Sequence, residues 1–454
     1  MSAAIHFDLP HTETTQAVSV ALSGGIDSVV LLHLCFTKKN QRKIKNLRAI
    51  HINHNLNPAS EQWMIFCEQL CNCWNIPLHV ETVQLPDVRR KGTERIAREA
   101  RYRIFTKYLQ EGEYLFQGHH QNDQAETVLF RLLRGSDPYG LSAIPQQRKL
   151  GNGFVFRPLF TSSRAMIQQY AQQHNLSWVE DDSNSDTGYT RNFLRQRVLP
   201  LLQKRWSSAV KSLAESAAQC ASSQIILDEV AKQDLQNVEQ TIDLPLLGRY
   251  RALCCEKLKR LSFAHQMNLL KFWFRSVHLP VPNKDCLERV ISEMLTAGAD
   301  RHPYVQCYGI QIRRYYKWLI LDPVVHKKAS VPVTIVLNKG LVTLPENNTT
   351  LEIAEASATS PATIKRSINE LQVTYRPYIH SLEPFAIHKS AHKKPLKKWL
   401  NELQVPEWIR DHIPLLMHYN ELVMVPGLFT NVQFASTCCE QGWEITWQPT
   451  VKHI

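Results

Sequence analysis

Six consecutive residues, Ser23-Gly24-Gly25-Ile26-Asp27-Ser28, are equipped to hold a chain of phosphates. Paired glycines let the backbone approach an anion and take positive φ without a Cβ clash. A helix starting just after them presents free N–H groups and roughly half a positive charge to the same spot. Ser23 and Ser28 add hydroxyl donors, and Asp27 is suited to hold a magnesium ion against the phosphates. A Walker loop would need Gly-x4-Gly-Lys-Ser, and no lysine stands here. The alternative is a tight strand–helix turn capped by serines, which accounts for less of the string.

Three further stretches carry candidate chemistry. In Gly118-His119-His120-Gln121-Asn122-Asp123-Gln124-Ala125-Glu126-Thr127, Asp123 and Glu126 lie three apart and share one face of a helix. There they could hold magnesium or an ammonium group, although capping of a helix start would also explain Asp123. In Tyr189-Thr190-Arg191-Asn192-Phe193-Leu194-Arg195, the two arginines sit four apart, able to clamp phosphates or a base. With Asp181 and Asp182 just upstream, a surface salt-bridge face is the other reading. His51 and Asn53 end an apolar run, where hydrogen-bonding at the end of a strand is one reading; the other, an adenine cradle, is what the segment's resemblance to a known ATP-binding family implies.

These stretches need a frame that brings them together. Strand-like segments at Ala17–Leu22, Leu47–Asn53, Leu78–Val83 and Tyr114–Gln117 alternate with helical ones. The helices are expected at Ser28–Phe36, Glu61–Trp74, Thr93–Leu109 and Asp123–Leu133. Such alternation predicts a Rossmann-like parallel sheet covered on both faces, with ligands at the carboxyl edge of the strands. The loop, the His51 segment and the Gly118 segment all fall at that edge. Thr161–Tyr170 is expected helical, Trp178–Asp182 a strand, Thr190–Trp206 helical on both sides of Pro200, and Ser207–Val230 helical. Gln240 to about Ile320 reads as a mainly helical segment with a β-like exit from Ile310. Pro332 to about Ala356 looks β-like, and a small α+β unit closes the chain. The expected division is 1–215, 216–330 and 331–454.

At 454 residues the chain is long enough for two or three domains. Lys and Arg outnumber Asp and Glu by 53 to 41, which favours a polyanionic partner through counterion release. Lys389 to Lys398 holds five lysines around His392 and Pro395, followed by Trp399. Among them Lys393, Lys394, Lys397 and Lys398 suit contact with an RNA backbone better than base reading. Neither a secretory leader at the start nor a run of ~20 apolar residues is present, so no membrane association is expected. Eleven cysteines without a CxxC pair fit a reducing cytoplasm, with Cys67, Cys71 and Cys73 as buried thiols, and argue against structural zinc or an iron–sulfur cluster.

The Ser-Gly-Gly-x-Asp-Ser string is the signature of the PP-loop ATP pyrophosphatases, which the chain resembles. Within them, Gly118 to Thr127 resembles the Gly-His-His-x-Asp-Asp-Gln-x-Glu-Thr motif of the tRNA(Ile)-lysidine synthetase family. So do Asp181-Asp182-Ser183-Asn184 with Arg191 and Arg195, the Glu94 to Arg103 element, and Val405-Pro406-Glu407-Trp408-Ile409-Arg410 after the lysines. The chain departs at Asn122, where the family has an aspartate, and at Asp137, where it has a glycine. The resemblance implies ATP as co-substrate with Mg2+, adenylation of the wobble cytidine of a CAU-anticodon tRNA(Ile), and attack by free L-lysine. It assigns lysine recognition to Asp123 and Glu126, and places Glu94 and Arg98 at the mouth of the site. It also allows a homodimer. Rival readings are a tRNA thiolase, disfavoured by the missing CxxC, a small-molecule amidotransferase, and a non-catalytic RNA-binding protein.

Overall fold

The computed structural model describes residues 5, 7, 9–10, 15–55, 57–83, 93–181, 186–298, 301–322, 332–344, 349–356, 363–379, 381–387, 390–436 and 442–448. Two compact units divide the chain, Met1–Ile226 and Leu227–Ile454.

The first unit alternates β1 (Thr15–Ala21), α1 (Ile26–Asn40), β2 (Ile44–Asn53), α2 (Ser60–Cys73), β3 (Leu78–Thr82), α3 (Thr93–Tyr108), β4 (Tyr114–Phe116) and α4 (Gln121–Leu132). A short α5 (Pro138–Leu141) precedes the hairpin β5 (Gln147–Leu150) and β6 (Gly153–Phe156), and α6 (Arg164–Gln173) follows. The sheet order is β3-β2-β1-β4-β6-β5. Every neighbouring pair is parallel except β5 with β6. Side-chain alternation decides which face each residue serves. Val18, Val20, Tyr114 and Phe116 pack under α1 and α6, while Leu115 meets Phe105 of α3 and Leu109 just beyond it on the opposite face. Both faces are covered, and β4 is buried throughout, as are Val18–Val20 at the centre of β1 and Ala49–His51 of β2. The chain runs outward from β1 to β2 and β3, then returns to β4 on the other side. A crevice therefore opens between the carboxyl ends of β1 and β4.

Beyond α6 the expected strand at Trp178–Asp182 is not formed over its described residues, 178–181. One backbone bond, Val179 N–H to the Gly24 carbonyl at 3.0 Å, ties this segment to the phosphate loop, and a single bond does not make a ladder. Asp182, Ser183 and Asn184 lie outside the described residues. The helical stretch from Thr190 is α7 (Thr190–Phe193), a π-turn at Leu194–Val198 and α8 (Leu199–Arg205), with Pro200 in the first turn of α8, where its missing N–H costs nothing. A long α9 (Ala209–Val238) follows.

In the second unit β7 (Glu239–Leu244) and β8 (Gly248–Cys254) precede α10 (Cys255–Lys259), α11 (Phe263–Ser276) and α12 (Lys284–Arg289). Then come β9 (Tyr304–Cys307), β10 (Ile310–Tyr315) and β11 (Trp318–Asp322), giving a five-stranded antiparallel sheet β7-β8-β11-β10-β9. The helices expected here are present, and the sheet is larger than the β-like exit suggested. β8 pairs with β11 across about 65 residues of chain, a partnership no local periodicity reveals.

The remaining strands are β12 (Val333–Val336), β13 (Gly340–Leu344), β14 (Thr349–Glu355), β15 (Thr363–Lys365), β16 (Glu370–Thr374), β17 (Phe385–Ile387), β18 (Ser390–Lys394), β19 (Leu415–His418), β20 (Glu421–Val425), β21 (Phe429–Thr430) and β22 (Gly442–Gln448), with α13 at Leu396–Glu402. They make antiparallel sheets around one apolar core.

Cys67 and Cys71 are buried, and burial pushes both thiols up to about 12. Cys73 is exposed, contrary to expectation, because a residue two places beyond Cys71 turns to the far side of the helix. The sulfurs of Cys286 and Cys307 meet. No helix among the described residues is long and apolar enough to cross a membrane.

Candidate functional site

Ser23, Gly24 and Gly25 join β1 to α1, and Ile26, Asp27 and Ser28 begin the helix. Gly24 has φ +87°, and a Cβ there would meet Val179 Cγ2 at 2.8 Å, so conformation and space both demand glycine. Ser28 Oγ ties the loop together, accepting from Ser23 N–H at 3.2 Å and donating to the Gly25 carbonyl at 2.9 Å. At the start of α1 the Ser28 and Val29 N–H groups donate to the Gly25 carbonyl at 3.0 and 3.1 Å, which leaves the Ile26 and Asp27 N–H groups for an anion. Gly118 closes the other side, since a Cβ at that position would stand 3.0 Å from the Asp27 carbonyl oxygen. The segment after β4 thus lies flush against the start of α1.

Contact between these two segments makes the site. His120, almost fully buried, stands between Asp27 and Asp123. Its Nε2 is 3.6 Å from Asp27 Oδ1, and its Nδ1 is 3.6 Å from Asp123 Oδ2. Burial opposes a charge on this ring, but Asp123 and Asp27 outweigh it and raise its pKa above the ordinary histidine value. Asp27 Oδ1 is buried and has no hydrogen-bond partner among the described residues. Asp123 Oδ2 accepts the His120 N–H at 2.9 Å, so the capping reading of Asp123 is part of the truth. Burial pushes the Asp123 carboxyl up, yet His120, His119 and Arg191 carry it below its usual value.

Asp123 and Glu126 do share one face of α4, and that face meets Arg191 and Arg195. Arg195 donates from Nε to Glu126 Oε1 at 2.6 Å and from Nη2 to Oε2 at 3.0 Å, a bidentate pair. Arg191 Nε reaches Glu126 Oε2 at 3.3 Å, and Arg195 Nη2 reaches Asp123 Oδ1 at 3.4 Å. Arg191 in α7 and Arg195 in the π-turn stand four residues apart, and both face α4. Three carboxylates, Asp27, Asp123 and Glu126, therefore face two arginines and His120, and the charges balance when that histidine is protonated.

Around this network the other expected residues divide. His51 donates from its ring to the Leu22 carbonyl, Nδ1 to O at 2.9 Å, and Asn53 Oδ1 accepts the Asn55 N–H. Both are buried and shape the ends of β1 and β2. Arg98 is exposed, its guanidinium 5.1 Å from the Tyr102 ring centre. The Glu94 side chain lies outside the described residues. Asn122 Oδ1 accepts the Arg164 N–H at 3.0 Å, binding the start of α6 rather than facing the loop. Asp137 caps α5 through the Gly140 N–H at 3.0 Å. In the second unit Lys394 is turned onto Glu402 at 2.8 Å and onto the Trp399 ring, whereas Lys393, Lys397 and Lys398 are exposed.

Sequence reasoning missed Arg157. It is buried at the end of β6 and donates to Gln117 Oε1, the Pro145 carbonyl and His119 Nδ1. Burial lowers its pKa to about 10. Burial, with Arg157, Arg191 and Arg98 nearby, lowers the His119 pKa to about 3, so that ring stays neutral. An arginine directly after the apolar Gly153–Phe156 run was the available signal. Among the described residues no group of three or more His, Cys, Asp or Glu could hold a metal ion by itself.

Three family models match the chain: a PP-loop domain over residues 3–202, a TilS substrate binding domain over 253–320, and a TilS substrate C-terminal domain over 371–447. The tRNA(Ile)-lysidine synthase of Serratia proteamaculans is 36% identical over 429 residues, 94% of this chain and 95% of its own length. That of Coxiella burnetii is 36% identical over 430 residues, 95% of this chain and 93% of its own. Among solved structures, a U34-tRNA thiolase from Methanococcus maripaludis superposes on 46% of this chain and 73% of its own, with a TM-score of 0.38 and 18% identity.

Proposed function

Since the chain belongs to the tRNA(Ile)-lysidine synthase family, a family of carbon–nitrogen ligases, we propose that it joins free L-lysine to the wobble cytidine of the CAU anticodon of tRNA(Ile), using ATP. The cytidine carbonyl oxygen attacks the α-phosphate and pyrophosphate leaves. The lysine side-chain amine then attacks the activated ring carbon, AMP leaves with the bonding pair, and the amine gives up a proton. Adenylation turns a poor leaving group into a good one, and the protein supplies placement and charge neutralisation.

One observation carries this reading: a phosphate cradle and a pair of carboxylates are joined through His120 into a single charge-balanced network. The loop Ser23–Ser28 takes the ATP phosphates. Asp27, with its unpartnered buried oxygen, would hold the magnesium that accompanies them and neutralises their charge. Arg191 and Arg195 hold Glu126 and Asp123 in the free protein and are the groups that can turn to an anion. As they do, the carboxylates are released to accept the ammonium groups of lysine, so binding of one substrate prepares the place of the other. Arg98 would serve the entrance of the site, the role that the family resemblance gives to it and to Glu94. The exposed Lys393, Lys397 and Lys398 contact the tRNA backbone, with Lys394 set by Glu402. The reaction belongs in the cytoplasm, and the parts 1–215, 216–330 and 331–454 serve catalysis, tRNA contact and tRNA binding.

Incorporation of labelled lysine into a tRNA(Ile) transcript, dependent on ATP, is the test. Asp123→Ala should raise the lysine requirement by about tenfold or more while the ATP requirement moves little. No incorporation by the wild-type chain, or an unchanged lysine requirement in the variant, overturns the assignment.

A further inference from the structure

A cavity of about 380 Å³ in the second unit is lined by Glu256, Arg314, Tyr315, Tyr316, Lys317, Trp318 and Gln404. That volume falls within the ~300–1,000 Å³ of small-molecule sites. Three of its seven lining residues are aromatic, two are cations and one is a carboxylate. The rings are held in fixed relation. Tyr315 and Tyr316 meet at 4.8 Å and 85°, and Tyr315 meets Trp408 at 5.9 Å and 89°. His302 braces Tyr316 edge-on at 5.8 Å. Tyr315 is nearly buried, but Tyr316 keeps 37% of its surface exposed.

Two of the walls turn on left-handed residues. Tyr316, at the tip of the β10–β11 hairpin, has φ +50°, and Gln404 has φ +52°. For residues with a Cβ this conformation costs about 1 kcal/mol, and such positions concentrate at functional sites. The Tyr315 hydroxyl donates to the Gln404 carbonyl and locks the two walls together. Arg314 is buried, with Nε on the Tyr316 carbonyl and Nη1 on the carbonyls of Met294 and Leu295, which leaves Nη2 outside these bonds. Lys317 Nζ stands 5.3 Å from the Trp318 ring centre. Glu256 is exposed and has no ion-pair partner among the described residues, although two cations line the same cavity.

We propose that this cavity binds one unpaired guanine nucleotide, its base stacked on Tyr316 and its phosphate beside Arg314 and Lys317, with Glu256 accepting from the base edge. A carboxylate pairs with two adjacent N–H donors. The Watson–Crick edge of guanine offers N1–H and N2–H2 side by side, whereas adenine and cytosine offer one amino group next to an acceptor. The nucleotide comes from an unpaired position of the bound RNA, or it is a free guanine nucleotide. The first source rests on the proposed tRNA substrate; the chemistry of the cavity does not.

Binding is measured with the full chain, using a tRNA(Ile) transcript across a salt series, and GMP and AMP as free probes. Tyr316→Ala should weaken the complex about tenfold, the worth of one base–aromatic stack, with the salt slope unchanged because no phosphate contact is lost. Tyr316→Phe should bind like the wild type, which separates stacking from a folding defect, and matched thermal melts check the alanine variant. Glu256→Gln should remove the preference for GMP over AMP if the ligand is free. If only the transcript binds, Glu256→Gln should remove the preference for guanine over adenine at the responsible unpaired position, located by single substitutions. Unchanged affinity in Tyr316→Ala, or Tyr316-dependent binding of AMP as tight as that of GMP, overturns the proposal; AMP binding that Tyr316→Ala leaves unchanged belongs to the catalytic site. Lysine incorporation is not read in this assay, so failure here leaves the catalytic assignment standing, and the converse holds.

Discussion

Replacing Glu126 with glutamine keeps the shape of α4 and removes one charge from the centre of the network. Glu126 is buried and takes both nitrogens of a bidentate Arg195 pair at 2.6 and 3.0 Å, with Arg191 at 3.3 Å. Breaking a buried pair by removing one partner costs about 3–5 kcal/mol. The arginines are not fully enclosed, with side chains 29% and 39% exposed, so water screens part of the loss and about 2 kcal/mol is expected. For a unit the size of Met1–Ile226 this lowers Tm by roughly 4–8 °C. The assay is a double-mutant cycle of Glu126→Gln, Arg195→Gln and the pair, followed by thermal unfolding. Because Glu126→Gln leaves Arg195 facing a neutral amide, the second substitution should relieve part of the cost, and the double variant should recover about 1 kcal/mol relative to the sum. In the same samples the lysine requirement of Glu126→Gln should rise far more than the ATP requirement. Additive costs would show that the pair does not hold the site, and an unchanged lysine requirement would show that Glu126 does not face that substrate.

Gly24→Ala should abolish ATP binding while leaving most of the fold, since φ +87° and a Cβ 2.8 Å from Val179 displace the cradle; adding Val179→Ala relieves the clash but not the conformation, so recovery should be partial at most. His119, lowered to about 3 by burial and neighbouring arginines, binds a proton more weakly folded than unfolded, so it costs stability as pH falls from about 6.5 towards 3 and is silent above that range. His119→Gln should flatten that part of the stability–pH curve. His120 acts with the opposite sign: its raised pKa adds stability below about 6.5 that is lost as pH rises through the raised value, and His120→Gln should remove this alkaline loss. Substituting Glu113, which is buried and accepts from Arg48, Ser19 and the Gln110 N–H, by alanine should destabilise by about 3 kcal/mol in chemical denaturation without changing the lysine requirement.

Much of the first unit could be read in its residues because its signals are local. Paired glycines before a helical period predicted the loop, and Gly24 shows why they are glycines. The alternation of apolar runs and amphipathic helices predicted the sheet, because a parallel strand buried on both faces must be apolar along its length. The i, i+3 spacing placed Asp123 and Glu126 on one face, and i, i+4 placed Arg191 and Arg195 on another. That these two faces are the same surface, with each arginine on a carboxylate, was decided by packing of α4 against the α7–α8 stretch, about 65 residues further along. No spacing rule carries charge complementarity over such a distance. His120 bridging Asp27 to Asp123 likewise needed the crevice between β1 and β4, and Arg157 acquired its meaning only from the neutral acceptors that close around it. The conformation of the loop and its donors were legible in sequence alone, because they sit within six residues. The balance of charge that surrounds it belongs to the tertiary structure, because it is shared among segments that only folding brings within 4 Å.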